Sequence, residues 1–205
     1  MGLSQGDADH RKYDGFQAWL LPGLIVIIAT IFALFGDSGR ELLRYDRAAV
    51  GDGEVWRLAT GHFAHLGVSH FALNALGLGL IMYLVLPQFT VRQWVLITII
   101  VILGIDLGFW VLEPQLRWYV GLSGLLHGFW AAGAMGGLRA GQFDSWLLLG
   151  ILAGKLAYEQ LVGPLPGSED STGGNVIVAA HLYGAISGAL IGAWYRFRKA
   201  PATPI

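Results

Sequence analysis

The chain contains no cysteine, which excludes disulfide bonds, thiolate catalysis and cysteine-based metal sites. Charged residues are also scarce, since Asp, Glu, Lys and Arg make up 13% of the 205 residues, against about 25% in soluble domains. The net charge of −1 leaves no basic face for a nucleic acid. Hydrophobic residues make up 55% of the chain instead, which is typical of a polytopic membrane protein.

Six mostly apolar runs approach the length of about 20 residues that crosses a bilayer as a helix. They cover residues 18–35, 68–86, 94–112, 118–138, 146–162 and 176–194. Tryptophans stand at several of the segment ends, where indole prefers the headgroup layer. The sequence therefore predicts an all-α polytopic bundle of six transmembrane helices over residues 18–196. An N-terminal segment 1–17, a long external interfacial loop 36–67 and a C-terminal tail 197–205 complete the predicted organisation.

Basic residues predict the orientation of the bundle. An even number of spans places both termini on one side, and that side carries the cluster of Arg196, Arg198 and Lys199. Arginines of the external loop are instead interleaved with acidic residues. By the positive-inside rule, both termini are expected in the cytoplasm. On the other side, residues 163–175 are polar and rich in Gly, Pro and Ser, which predicts a flexible cap.

Three polar side chains lie at a similar depth in three separate predicted spans. At 1.5 Å per helical residue, His70, Ser123 and His181 each fall within about 10 Å of the external surface. An ionisable residue inside a span is costly and is usually functional. A serine and a histidine at one level suggest a nucleophile with its base, and hence proteolysis within the membrane.

Other residues near these three have two interpretations each. His70 and Asn74 share a helix face and can donate to an oxyanion, or they can form hydrogen bonds between helices. Glycines flank Ser123 and follow His181, where they either serve as plain helix contacts or let an imidazole approach a hydroxyl. These glycines are Gly121, Gly124, Gly184 and Gly188.

The sequence resembles the rhomboid family of intramembrane serine proteases over about residues 54–192. The motifs that carry the resemblance are, in chain order, Trp56-Arg57-x-x-Thr60-x-x-x-x-His65-x-x-x-x-His70-x-x-x-Asn74, then Gly121-x-Ser123-Gly124, then Ala180-His181-x-x-Gly184-x-x-x-Gly188.

By this resemblance, Ser123 is the nucleophile and His181 is its general base. The oxyanion hole is expected to consist of His70, Asn74 and the backbone N–H of Ser123, and Trp56 with Arg57 is expected to anchor the first loop at the interface. The resemblance implies hydrolysis of a peptide bond near the outer end of a membrane-anchored substrate.

His127 departs from the pattern of many rhomboids, which place an aromatic residue four positions after the serine, stacked on the catalytic histidine. In this chain His127 either fills that position or orients His181. Residues 121–128 and the compact six-span body are similar to the rhombosortase subfamily in particular. That subfamily implies a bacterial-type inner membrane and C-terminal processing of exported proteins, whose tails carry a Gly-Gly motif, a transmembrane helix and a basic end.

Two alternatives to this function remain at the level of the sequence. The first is a general rhomboid protease that cleaves other single-span substrates. The second is a non-proteolytic rhomboid-fold protein that binds membrane clients, although such proteins typically lack the serine or the histidine. A channel is not favoured, because the inner halves of the spans are almost wholly apolar. The expected partners are a membrane-anchored substrate and the bilayer, with an accessory membrane protein as a further candidate and no nucleic acid.

No cofactor and no metal are expected, since the histidines do not form a His-Glu-x-x-His pattern. Three charged residues, Asp106, Lys155 and Glu159, lie within predicted spans. We interpret them as a structural ion network, in which Lys155 pairs with Glu159 or with Asp106. The alternatives are that Asp106 orients a catalytic histidine or that Lys155 contacts a substrate carboxylate.

Overall fold

The computed structural model describes residues 16–138 and 143–198. Its helices are α1 (Leu20–Leu34), α2 (Gly36–Leu43), α3 (Arg47–Gly51), α4 (Arg57–Thr60), α5 (Val68–Val85), α6 (Val91–Leu112), α7 (Ser123–Gly137), α8 (Phe143–Leu161), α9 (Ser168–Thr172) and α10 (Val178–Phe197). Short 3-10 helices cover Phe16–Trp19 and Leu86–Gln88, and the strands β1 (Tyr45–Asp46) and β2 (Trp118–Tyr119) pair antiparallel. Most of the predicted segment 1–17 and of the predicted tail 197–205 lies outside the described residues.

Three of the described helices are long and apolar enough to cross a membrane, namely Phe16–Leu34, Val68–Gln88 and Val91–Leu112. They coincide with the first three predicted spans, and the helical character of the protein agrees with a helical membrane bundle. Helix α7, which corresponds to the fourth predicted span, has only 15 residues. Helix α8, which corresponds to the fifth, carries the charged pair Lys155 and Glu159. The count of six spans therefore stays a prediction.

Helix α7 lies at the centre of the bundle, and α5, α6, α8 and α10 pack around it. Among the described helices, its contact with α10 is the most extensive. A Cβ atom added to Gly184 would meet the backbone of Gly124, and one added to Gly188 would meet the backbone of Gly128. The two helices therefore approach backbone to backbone, as small residues allow within membranes.

The residues just before α7 are not helical, although the apolar run 118–138 predicts one continuous helix. Trp118 and Tyr119 pair with β1 of the external loop instead. Gly121 has a φ of 133°, which residues with a side chain rarely adopt, and its N–H donates to the carbonyl of Gly61 at 3.0 Å. This strand and turn place Ser123 at the first residue of α7, so the predicted helix start was wrong.

The external loop is folded around Arg57, which is only 8% exposed. The guanidinium donates to the carbonyls of Glu41 at 2.7 Å and Arg44 at 3.0 Å, and it pairs with the Glu54 carboxylate at 2.6 Å. Trp56 is 47% exposed and is the member of the Trp-Arg motif that is free to meet an interface. Arg57 instead holds the loop together from within, and the loop in turn holds β2 in place.

The segment 163–175, predicted to be a flexible cap, contains the short helix α9. Gly167 and Gly173 flank the helix with φ values of 76° and 80°, a backbone conformation that suits glycine. The Thr172 hydroxyl donates to the carbonyl of Ser168 at 2.9 Å. The cap therefore contains a defined helical turn, which ends where the N–H of Gly173 donates to the carbonyl of Glu169 at 2.9 Å.

Candidate active site

Ser123 and His181 are in direct contact. The Oγ atom of Ser123 lies 2.9 Å from Nε2 of His181, a hydrogen-bond distance for a hydroxyl and an imidazole. Ser123 is the first residue of α7, and His181 lies in the first turn of α10. Ser123 is half-buried and His181 is only 5% exposed. This arrangement can transfer a proton from the hydroxyl to the imidazole when the oxygen attacks a carbonyl.

The other nitrogen of His181 contacts a residue that the sequence did not assign to the site. Nδ1 of His181 lies 2.9 Å from Oε2 of Glu159, and the second carboxylate oxygen of Glu159 accepts a hydrogen bond from Lys155. Glu159 is 3% exposed. Pairing of Lys155 with Glu159 was one of the sequence interpretations, but its continuation to His181 was not.

The direction of Glu159 follows from a seven-residue period in the burial of α8. The residues buried on α8 are Ser145, Leu152 and Glu159, each seven positions after the last. Positions seven apart lie on one face of a helix, so Glu159 shares the face on which α8 packs against α7. The apolar composition of α8 conceals this pattern, because an apolar residue in a membrane can face either lipid or protein.

Asp106 contacts a different histidine from any proposed for it. Its Oδ1 atom lies 3.2 Å from Nε2 of His62, and both side chains are buried. Helix α6 turns Asp106 toward the external loop and away from Lys155. The interpretations that pair Asp106 with Lys155, or that make it the partner of a catalytic histidine, were therefore wrong.

His127 stacks on His181. The ring centroids are 4.1 Å apart with an angle of 13° between the ring planes. Nδ1 of His127 lies 2.7 Å from the carbonyl oxygen of Ser123, so it carries the proton and donates. His127 lies one turn along α7 from the serine and stacks as the resemblance to rhomboids implies for an aromatic residue at this position.

Two side chains of α5 face the same site with donor groups. Nδ1 of His70 accepts a hydrogen bond from the N–H of Leu66 at 3.3 Å, which leaves the proton of the neutral ring on Nε2. Asn74 is buried, and its Nδ2 atom has no hydrogen-bond partner within the described part of the chain. A buried amide donor without a partner costs free energy unless something accepts from it. An oxyanion next to Ser123 would be such an acceptor.

His65 supports this wall from the external loop. Its ring packs edge-on against His70, with centroids 5.0 Å apart. Burial first, and then the repulsion that two protonated rings would exert on each other across the His65–His70 contact, lower the pKa of His65 to about 3. His65 is therefore neutral near pH 7 and places no charge beside the donors of α5.

A cavity of about 180 Å³ connects these groups. It lies between α5 and α8 and is covered by the α9 cap. Its polar lining includes His70, Asn74, Ser123, Lys155, Glu159, Ser168, Thr172, Asn175 and His181. The serine and the histidine therefore face a partly open cavity that polar and apolar side chains line together.

A metal ion is not favoured by this geometry. His127, Glu159 and His181 do offer ligand atoms within 4.8 Å of one another. However, an imidazole ligates through a lone pair in its ring plane, and two nearly parallel stacked rings cannot both direct such lone pairs at one ion. Both nitrogens of His181 also have protein partners.

A comparison with protein-family models matches the Rhomboid domain to residues 52–198. The match covers more than half of the chain and includes every candidate site residue, from Trp56 to Gly188. No curated protein matches the chain in sequence.

Proposed function

The chain belongs to the rhomboid family, which is known for intramembrane serine proteases, and from this membership we propose that it hydrolyses a peptide bond of a membrane-anchored protein. In this proposal Ser123 is the nucleophile and His181 is the general base. The observation that carries the proposal is the 2.9 Å contact between Ser123 Oγ and His181 Nε2. A family fold without this contact would support binding alone.

In the acylation step, Oγ of Ser123 forms a bond to the substrate carbonyl carbon while its proton moves to Nε2 of His181. The resulting oxyanion accepts hydrogen bonds from the Ser123 N–H, from Asn74 and from His70. The N–H groups of the first turn of a helix have no intrahelical acceptor and lie at its positive end. Collapse of the intermediate breaks the C–N bond, and His181 gives its proton to the leaving amine.

In the deacylation step, water attacks the acyl-enzyme while His181 takes its proton. The bond between the acyl carbon and Ser123 Oγ then breaks, His181 returns the proton to Oγ, and the released carboxyl group carries the oxygen of the water. Glycines give this site its geometry, since Gly121 supports the turn before Ser123, and Gly124, Gly184 and Gly188 allow α7 and α10 to meet.

We further propose that the bundle has six spans with both termini in the cytoplasm of a bacterial-type inner membrane. Cytoplasmic Arg196 and Arg198 would then lie at the far end of α10 from His181. The cavity would open to the periplasmic or external side, where the α9 cap lies. A substrate segment would enter between α5 and α8, because Asn74 and Lys155 of these helices line opposite walls of the cavity.

For the substrate, we propose the C-terminal tail of an exported protein with a Gly-Gly motif before its transmembrane helix, as in rhombosortases. The likeness of residues 121–128 to that subfamily supports this class. Glycine residues also place no side chain against the lining of the cavity, to which the α9 cap contributes Ser168 and Thr172.

The test of this proposal uses an exported reporter that ends in Gly-Gly, a transmembrane helix and a basic tail, expressed with the wild-type protein or with Ser123→Ala. Mass spectrometry of the reporter C-terminus should show truncation near Gly-Gly with wild type alone. A matched reporter with Val-Val in place of Gly-Gly should remain intact. Cleavage of both reporters would replace the rhombosortase assignment with a general protease, and two intact reporters would contradict the proposed proteolysis of such substrates.

A further inference from the structure

Glu159 is a buried carboxylate on a helix that otherwise faces mostly outward. Burying a charge in a membrane protein is expensive unless other groups compensate it. Two groups do so here, because Lys155 donates to one carboxylate oxygen and Nδ1 of His181 lies 2.9 Å from the other. Glu159 thus links a lysine on its own helix to the histidine of α10.

The hydrogen-bonded chain from Lys155 through Glu159 and His181 reaches Ser123. Nδ1 and Nε2 lie on opposite edges of the His181 ring, and Nε2 is 2.9 Å from Ser123 Oγ. Since a carboxylate only accepts hydrogen bonds, Nδ1 must carry the proton, and Nε2 is left with the lone pair that faces the hydroxyl. The tautomer required of a general base is therefore set by Glu159.

We propose that Glu159 is a positioning residue for His181, so that the site is a Ser-His-Glu triad whose carboxylate Lys155 holds in place. The inference rests on the proposed proteolysis and adds a third member to the pair of residues on which the sequence motif depends. A carboxylate in this place fixes the ring orientation and stabilises the imidazolium that forms when Ser123 loses its proton.

The other charged and titratable groups around His181 do not provide the same contact. His127 of α7 stacks on the ring face and uses its Nδ1 for the Ser123 carbonyl. His70 of α5 lines the opposite wall of the cavity. Asp106 of α6 is engaged with His62. Among the described residues, Glu159 is the only carboxylate in contact with His181.

The competing explanation is that Lys155 and Glu159 form a purely structural ion pair. A double variant without either charge distinguishes this explanation from a positioning role of Glu159. Lys155→Met with Glu159→Gln removes both charges together and leaves no unpaired ion in the bundle. If the pair is only structural, this variant should regain both stability and catalysis. If Glu159 positions His181, stability should return while catalysis stays slow, since a glutamine does not hold the imidazolium as a carboxylate does.

The experiment measures kcat and KM on the Gly-Gly reporter in detergent micelles, together with thermal unfolding. The variants are Glu159→Gln, Glu159→Asp, Lys155→Met with Glu159→Gln, and Ser123→Ala. Loss of the carboxylate should reduce kcat about 10⁴-fold, as it does in other serine-protease triads, with KM within about twofold of wild type. Glu159→Asp should recover part of kcat, and the double variant should unfold like wild type but turn over like Glu159→Gln.

Wild-type kcat in a stably folded double variant, or in Glu159→Gln itself, would overturn the triad while leaving the Ser-His proposal in place. Failure of the proposed function gives a different pattern, in which wild type and Ser123→Ala do not differ on the reporter. The two failures are therefore distinguishable within one set of proteins.

Discussion

Replacing His181 with alanine is expected to reduce peptide hydrolysis by about 10⁶-fold, the effect seen when a serine protease loses its general base. Without the imidazole, the described part of the chain offers no other imidazole or carboxylate in hydrogen-bond contact with Ser123 Oγ. The neutral serine hydroxyl is then a weak nucleophile. The measurement is the initial rate of reporter cleavage in reconstituted bilayers, compared with that of the wild-type protein.

Tyr183→Phe is a matched control on the same helix. The Tyr183 hydroxyl donates to Glu113 at 2.8 Å and does not line the cavity, so the rate should remain near that of wild type. A His181→Ala protein that keeps more than about a tenth of the wild-type rate would contradict the role of His181 as base.

Replacing Asn74 with leucine is expected to lower kcat by about 10²–10³-fold with little change in KM. The buried amide nitrogen has no partner in the described structure, so it is available to the oxyanion that forms only during reaction. An interaction that strengthens in the transition state affects kcat rather than ground-state binding. Leucine keeps the branching and the number of side-chain heavy atoms, and it removes the amide donor together with the amide acceptor.

Thr30→Val serves as a control for polarity loss within the membrane domain. Its hydroxyl donates only to the Val26 carbonyl of its own helix at 2.7 Å, far along the chain from the α5 donors, and kcat should not change. If Asn74→Leu raised KM while leaving kcat intact, Asn74 would be a substrate-binding group and not part of an oxyanion hole.

Much of the candidate site could be predicted because its members occupy unusual positions in an apolar sequence. Ser123 and His181 are polar residues at the same depth of separate segments, and the structure brings them to 2.9 Å. Gly184 and Gly188 indicated a close helix contact, and α10 does meet α7 there. These features can be recognised from the sequence because they depend on residue type. A polar residue is costly to bury in a membrane, and only a small residue leaves space for two backbones to meet.

Other features depend on helix rotation and local backbone geometry, which hydropathy does not report. Asp106 was assigned to the wrong partner, because the rotation of α6 decides whether it faces His62 or Lys155. Residues 118–122 were assigned to a helix, because hydropathy alone does not distinguish an apolar strand from an apolar helix. For Glu159, the sequence offered Lys155, four positions away, as a partner. That ion pair already accounted for a charged residue in a span, so nothing in the sequence indicated the contact with His181.

The identity of the nucleophile is tested most directly by mapping the adduct of a fluorophosphonate. Attack by Ser123 Oγ would form a P–O bond and release fluoride, with the proton passing to His181. Peptide mass spectrometry should find the phosphonyl group on Ser123 of the wild-type protein and no adduct in Ser123→Ala or His181→Ala. Ser187 lies in α10 and should stay unmodified, so it serves as an internal control. An adduct that persists in Ser123→Ala, or an unmodified Ser123 in protein that cleaves its reporter, would contradict the assignment of Ser123 as the nucleophile.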